Sequence, residues 1–106
     1  MDRPETTPLA CDMTALTPDE RDRRQTLAAQ LHAATQEMRE RRDGYAFRYP
    51  AALLLTAAGF VALERRCCPF FRFALDVESD NGPLWLAITG QEDVKAFIAA
   101  ELGLAG

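Results

Sequence analysis

The chain is organised around residues 63–71, Leu63-Glu64-Arg65-Arg66-Cys67-Cys68-Pro69-Phe70-Phe71, which join its most apolar helical pattern to its clearest strand pattern. This stretch holds two of the three cysteines, side by side. Proline disfavours a helical conformation of the residue before it, so we expect the helix to end near Cys67 and Cys68 to be extended. Such a bend lets neighbouring sulfurs face one ligand, which adjacent side chains of a continuous helix cannot easily do.

Length and composition indicate one globular domain. The chain has 106 residues, and 48% of them are hydrophobic and 26% charged, unlike a disordered protein. We expect a flexible leader at residues 1–8, which contain two prolines and three charged side chains, and one domain over residues 9–106. The formal net charge of -4 argues against general nucleic-acid binding, which needs an excess of basic charge.

The chain shows no pattern for export or membrane insertion. Its longest apolar run, residues 51–63, contains Thr56 and Gly59 and is shorter than the ~20 residues that span a bilayer. The N-terminus lacks the apolar core of a signal peptide. These features predict a cytoplasmic protein, and three cysteines in that compartment predict reduced thiols.

Hydrophobic periodicity predicts a small α+β fold. The expected order is a weak strand at residues 9–13, a helix at 18–42, a strand at 45–49, a helix at 51–67, strands at 71–78 and 84–88, and a final helix. The simplest arrangement is a two-layer sandwich, in which an antiparallel or mixed sheet of three or four strands carries three helices on one face. Arg48, Arg72, Asp76, Glu78 and Trp85 fall on the other face.

The paired cysteines indicate a soft-metal site. Glu64 precedes Cys67 by three residues, so both lie on one helix face. Thiolates bind Cu(I), Zn(II) and Hg(II) well, and Cys11 offers a third thiolate. Arg65 and Arg66 add positive charge that favours thiolate, while the C-terminal end of the helix opposes it. A disulfide between the adjacent Cys67 and Cys68 would be strained, since their Cα atoms lie about 3.8 Å apart.

Other interpretations of the same residues stay open. Cysteine is often a small buried hydrophobe, which would make all three core residues. Cys68-Pro69 is also the minimal dipeptide of haem-responsive proteins, in which the thiolate binds iron. A thiol redox protein would use Cys67 or Cys68 as nucleophile, with Glu64 relaying a proton. The apolar second helix or the outer sheet face could instead form a homodimer, which makes the protein an interaction module.

Motifs for other enzyme classes are absent from the sequence. His32 is the single histidine and has no acidic or cysteine partner close in sequence, so a partly exposed structural role is expected. No nucleophile elbow, phosphate-binding glycine loop or H-E-x-x-H motif occurs.

The segment Glu64-Arg65-x-Cys67-Cys68-Pro69-Phe70-Phe71-x-Phe73 resembles a segment shared by short, uncharacterised bacterial proteins, and the similarity runs over about residues 44–102. This resemblance implies no established activity, so no residue takes a role from it. Adjacent thiols also occur in mercury-handling enzymes, a likeness of residue type alone. The sequence therefore predicts a small thiol protein that binds a metal ion or a small thiol ligand, as sensor, carrier or scavenger rather than as enzyme.

Overall fold

The computed structural model describes residues 11–91 and 93–101; the leader predicted at residues 1–8 lies outside them. Three α-helices and a four-stranded antiparallel sheet, with strand order β1-β2-β4-β3, confirm the predicted α+β class. The elements are a 3₁₀ helix (Met13–Ala15), α1 (Pro18–Ala34), β1 (Glu37–Arg41), β2 (Gly44–Tyr49), a 3₁₀ helix (Ala51–Leu53), α2 (Leu54–Cys67), β3 (Arg72–Val77), β4 (Leu84–Thr89) and α3 (Val94–Glu101).

Helix α1 begins at a capping box formed by Thr17 and Glu20. The Glu20 amide donates to the Thr17 hydroxyl at 3.1 Å, and the Thr17 amide donates to the Glu20 carboxylate at 2.9 Å. The prediction that this helix continues to residue 42 is wrong, because it ends at Ala34. Thr35 takes an extended conformation there, and its hydroxyl donates to the Leu31 carbonyl oxygen at 2.9 Å.

Strand β1 occupies residues for which the sequence predicts the end of that helix. Its glutamates and arginines have good intrinsic helix propensity, so local preference favours helix. The structure instead pairs Met38 with Phe47 and Arg39 with Ala46, in a hairpin whose two-residue turn is Arg42-Asp43. Because this pairing satisfies the backbone and turns Met38 toward the apolar face, tertiary contacts override the local preference.

The inner face of the sheet carries the helices. Successive strand residues alternate between faces, so Phe47, Leu86 and Leu75, which lie opposite one another on three strands, share that face. Side chains of α1 and α2 enclose a cavity against Phe47 and Leu86. From α3, the Phe97 ring contacts the Phe71 ring with centroids 5.8 Å apart.

The outer face carries charged side chains around Trp85. Arg48 and Asp76 lie opposite Trp85 on the two neighbouring strands, as the alternation predicts. The Arg39 guanidinium stacks on the indole, 4.6 Å from its centroid. In the part of the chain that the structure describes, no α-helix with contacts to the sheet lies on this side, so the domain has two layers.

The weak strand predicted at residues 9–13 is wrong for its described part. Met13–Ala15 form a 3₁₀ helix, because the Asp12 carboxylate caps it by accepting from the Thr14 amide at 3.0 Å. Residues 11–16, here called the N-terminal strap, cross the C-terminal end of α2. The Asp12 amide donates to the Cys67 carbonyl oxygen at 2.7 Å, and the Arg66 guanidinium donates to the Ala15 carbonyl oxygen at 3.0 Å.

Helix α2 packs closely against α1. A Cβ atom placed on Gly59 would lie 3.3 Å from the Leu27 side chain, so the lack of a side chain at this position allows the close approach of the two helices. α2 ends at Cys67, as the position of Pro69 predicts. Among the described residues, no helix combines the length and apolar character needed to cross a membrane.

Candidate metal centre

The two adjacent cysteines sit where α2 stops. Cys67 is the last helical residue, and Cys68 has left the helix, with φ -123° and ψ 72°. The Cys68 amide still donates to the Glu64 carbonyl oxygen at 2.8 Å, which holds the bend in place. The change of backbone direction brings the sulfurs of Cys67 and Cys68 to 3.9 Å from each other.

Cys11, at the start of the described chain, lies beside these two cysteines at the end of α2. Its sulfur forms a disulfide with Cys68, with the two Cα atoms 4.5 Å apart and a sequence separation of 57. The prediction of three reduced thiols is therefore wrong for this structure, in which Cys67 is the one free cysteine. The number of cysteines in a chain suggests a cellular compartment but does not say which of them lie close together in the fold. Cys11 lies beside Cys68 in a segment whose Asp12 amide donates to the Cys67 carbonyl oxygen.

Glu64 supplies a buried carboxylate to this cluster. Its side chain is only 4% exposed, and it forms an ion pair with the Arg24 guanidinium of α1. One carboxylate oxygen lies 3.6 Å from the Cys67 sulfur. Donor atoms of Cys11, Glu64 and Cys68 all lie within 4.8 Å of one another, so the structure gathers three potential metal ligands from two segments.

Arg24 is a residue of this site that the sequence interpretation missed. It lies forty residues before Glu64 in sequence, and only the fold brings them together. A signal did exist, because Arg24 precedes Leu27 and Leu31 by three and seven residues and so shares their buried helix face. The pairing matters because an unpaired buried carboxylate would be costly.

The two predicted supporting arginines do not contact the sulfurs. Arg65 is exposed. Arg66 turns away to Glu20, to which it donates at 2.7 and 3.2 Å, and this contact lowers the pKa of Glu20 to about 2. Arg66 instead helps to hold the N-terminal strap, through its bond to Ala15.

The environment of Cys67 keeps its thiol protonated. Burial raises the pKa of the Cys67 thiol, the nearby charge of Glu64 raises this pKa further, and Arg24 opposes both effects. A catalytic thiol needs a lowered pKa and access to substrate, whereas Cys67 and Cys68 are 0% exposed. The arrangement therefore favours neither a redox nucleophile nor an axial haem ligand at Cys68, which would require an open face above the sulfur.

Access to the cluster is from the side of the strap. Cys11 is partly exposed, unlike the other two cysteines, and lies at the start of the strap. His32 is exposed and is not part of the group formed by Cys11, Glu64 and Cys68. Comparison of the chain with protein-family models, curated proteins and solved structures finds no match.

Proposed function

We propose that this protein binds one thiophilic divalent metal ion, of the Zn(II) or Hg(II) class, as a sensor, carrier or scavenger in the cytoplasm. The ligands are the sulfurs of Cys11, Cys67 and Cys68 in their reduced form, with a carboxylate oxygen of Glu64 as fourth donor. The observation that carries the proposal is that donor atoms of Cys11, Glu64 and Cys68 lie within 4.8 Å of one another at the end of α2. The Cys67 sulfur lies beside this group, 3.9 Å from the Cys68 sulfur and 3.6 Å from a Glu64 carboxylate oxygen.

The spacing of the sulfurs suits a tetrahedral ion. Two sulfurs that each lie about 2.3 Å from a tetrahedral zinc ion are roughly 3.8 Å apart. The sulfurs of Cys67 and Cys68 are 3.9 Å apart, close to this value. Once the disulfide is reduced, Cys11 needs to move its sulfur back by only about 1.8 Å to reach the same spacing from Cys68.

Charge balance favours a divalent ion over Cu(I). Arg24 already neutralises Glu64, so three thiolates and a divalent ion leave one net negative charge in the site. A monovalent ion such as Cu(I) would leave two net negative charges in the site. Uncompensated charge at a buried position is costly. Because the raised pKa keeps Cys67 protonated, metal binding must also displace protons, which makes the affinity depend on pH.

The disulfide sets the condition for binding. Its reduction takes two electrons and two protons from a reductant such as a small thiol, and yields the Cys11 and Cys68 thiols. Glutathione or thioredoxin keeps thiols reduced in the cytosol, so we place the metal-binding form there. The oxidised form has only Cys67 and Glu64 left as donors and should bind weakly.

The test is a zinc titration of the full chain against a chromophoric chelator, under anaerobic conditions. The reduced protein should bind one ion, and the oxidised protein, which has the same sequence and fold, serves as the matched control and should not compete. Single Cys11→Ser, Cys67→Ser and Cys68→Ser variants should each lose more affinity than the roughly 10–100-fold typical of outer-shell changes. Unchanged affinity in all three variants, or no binding by reduced protein, would rule out the proposed site.

A second candidate function is homodimerisation through α2. Leu55 is 82% exposed, and Ala58 and Ala62, three and seven residues later, are exposed on the same side of the helix. Apolar side chains grouped on an exposed helix face are typical of interaction surfaces. This surface is separate from the cysteine cluster, so a dimer and a metal site can coexist.

A further inference from the structure

An apolar cavity of about 160 Å³ lies between α1 and the inner face of the sheet. It is separate from the cysteine cluster, because none of the three cysteines lines it. Its walls are large apolar and aromatic side chains: Leu31, Phe47, Tyr49, Phe60, Leu86 and Ile88. A pocket with mostly apolar walls and a few polar groups is the usual form of a small-molecule site.

The cavity exists because α1 presents a small side chain to the sheet. Ala28 follows Leu27 and lies over the space, where a longer side chain would fill it. The helix is anchored on both sides of this point. Leu27 packs near Gly59 of α2, and beyond the helix the Gln36 amide donates to the Arg48 carbonyl oxygen at 2.8 Å.

One end of the cavity is polar. The side chain of Tyr49 is buried, and Tyr49 and Thr35, which both carry hydroxyl groups, line this end. Thr35 donates to Leu31, so its hydroxyl is fixed in position. His32 and Met38 complete the lining at the exposed rim, and Met38 is 42% exposed. A flexible thioether at the rim can adapt to different ligands.

We propose that this cavity binds one small, uncharged aromatic molecule that carries a hydroxyl group, of the size of phenol. A closed apolar cavity of about 150 Å³ is known to accept benzene, so the volume fits a single ring. The rings of Phe47 and Phe60 suit edge-on contact with an aromatic ligand. No carboxylate, lysine or arginine is among the described residues that line the cavity, which suits an uncharged ligand, and the hydroxyl groups of Thr35 and Tyr49 offer the ligand hydroxyl a partner.

The test compares phenol and benzene by two-dimensional amide NMR titration of the oxidised full-length protein. Saturable shifts should localise to α1 and β2, and phenol should bind more tightly than benzene. Filling the cavity with Ala28→Leu should weaken phenol binding by about tenfold or more, whereas the matched control Ala29→Leu, on the exposed side of α1, should leave it within about twofold.

Two further variants keep the proposal testable if Ala28→Leu disturbs folding. Met38→Trp changes an exposed rim residue and should block the opening. Tyr49→Phe removes one hydroxyl and should reduce the preference for phenol over benzene while it leaves benzene binding unchanged. Linear, non-saturating shifts with phenol, or equal phenol binding by the wild type, Ala28→Leu and Met38→Trp, would overturn the proposal.

Discussion

The backbone amide of Asp12 donates a hydrogen bond to the carbonyl oxygen of Cys67. That carbonyl belongs to the last turn of α2, where carbonyl groups have no partner within the helix. The same contact holds the N-terminal strap across the helix end and sets Cys11 beside Cys68. This hydrogen bond therefore satisfies the helix terminus and, together with the disulfide and the bond from Arg66 to Ala15, holds Cys11 at the cluster.

Reduction of the Cys11–Cys68 disulfide should destabilise the metal-free protein. The bond closes a long loop, since 57 positions separate its cysteines, and loss of a cross-link of this length costs about 4 kcal/mol in the chain-entropy model. Urea unfolding with and without a phosphine reductant measures the difference. The Cys67→Ser variant should show the same difference, because Cys67 is not part of the bond. Equal midpoints in both redox states would contradict the assigned pairing.

Replacement of Arg24 should show how much the ion pair between Arg24 and Glu64 contributes to the free energy of unfolding. Arg24→Met leaves Glu64 as an unpaired buried carboxylate, which should lower the free energy of unfolding by about 3 kcal/mol. The control is Arg65→Met, an exposed arginine on α2, which should change stability by less than about 0.5 kcal/mol. Denaturant unfolding at pH 7 gives both values, and equal effects of the two substitutions would show that Glu64 does not depend on Arg24.

The raised pKa of Cys67 predicts how stability depends on pH. Below the ordinary thiol pKa of about 8.5, the folded and unfolded states both hold the proton, so this group has no effect. Above it the unfolded chain loses the proton first, and stability should fall as pH rises toward the higher folded pKa.

Urea midpoints of the oxidised protein between about pH 7 and pH 9.5 measure this fall, since Cys67 is then the one cysteine that titrates. The Cys67→Ser variant should lose the part of the slope that the thiol causes. If the wild type and the variant have parallel profiles, the thiol is not shielded in the way that its burial implies.

The exposed face of α2 gives a prediction about oligomeric state. If Leu55 lies in a dimer interface, Leu55→Lys should yield a monomer, because a charge would be buried against the partner. Val77→Lys changes another exposed apolar residue, on β3, and should leave the dimer intact. Light scattering coupled to size-exclusion chromatography gives the molar mass of each variant and so distinguishes monomer from dimer. A wild type that is monomeric at every accessible concentration would eliminate this candidate.

Much of the fold follows from local patterns. The alternation of Tyr45, Phe47 and Tyr49 and the capping box at Thr17 predict β2 and the start of α1 because backbone geometry and capping act over a few residues. β1 could not be predicted in this way. Its residues favour helix locally, and only pairing with β2 makes them a strand.

The site was predictable in part for the same reason. Pro69 indicates the bend at Cys68, and the three-residue spacing indicates that Glu64 lies near Cys67. The contributions of Cys11 and Arg24 depend on long-range contacts, which no local spacing specifies. The adjacent arginines illustrate the converse. Their proximity in sequence suggests positive charge beside the thiols, but the fold directs the Arg66 guanidinium to Glu20.

The central claim is that all three cysteine sulfurs bind one ion. X-ray absorption at the zinc edge, on the reduced and zinc-loaded full chain, tests it most directly. We predict three sulfur ligands at about 2.3 Å and one oxygen ligand, with one sulfur fewer in the Cys11→Ser variant. A first shell that contains only oxygen and nitrogen, or the same shell in the wild type and a variant lacking all three cysteines, would contradict the account.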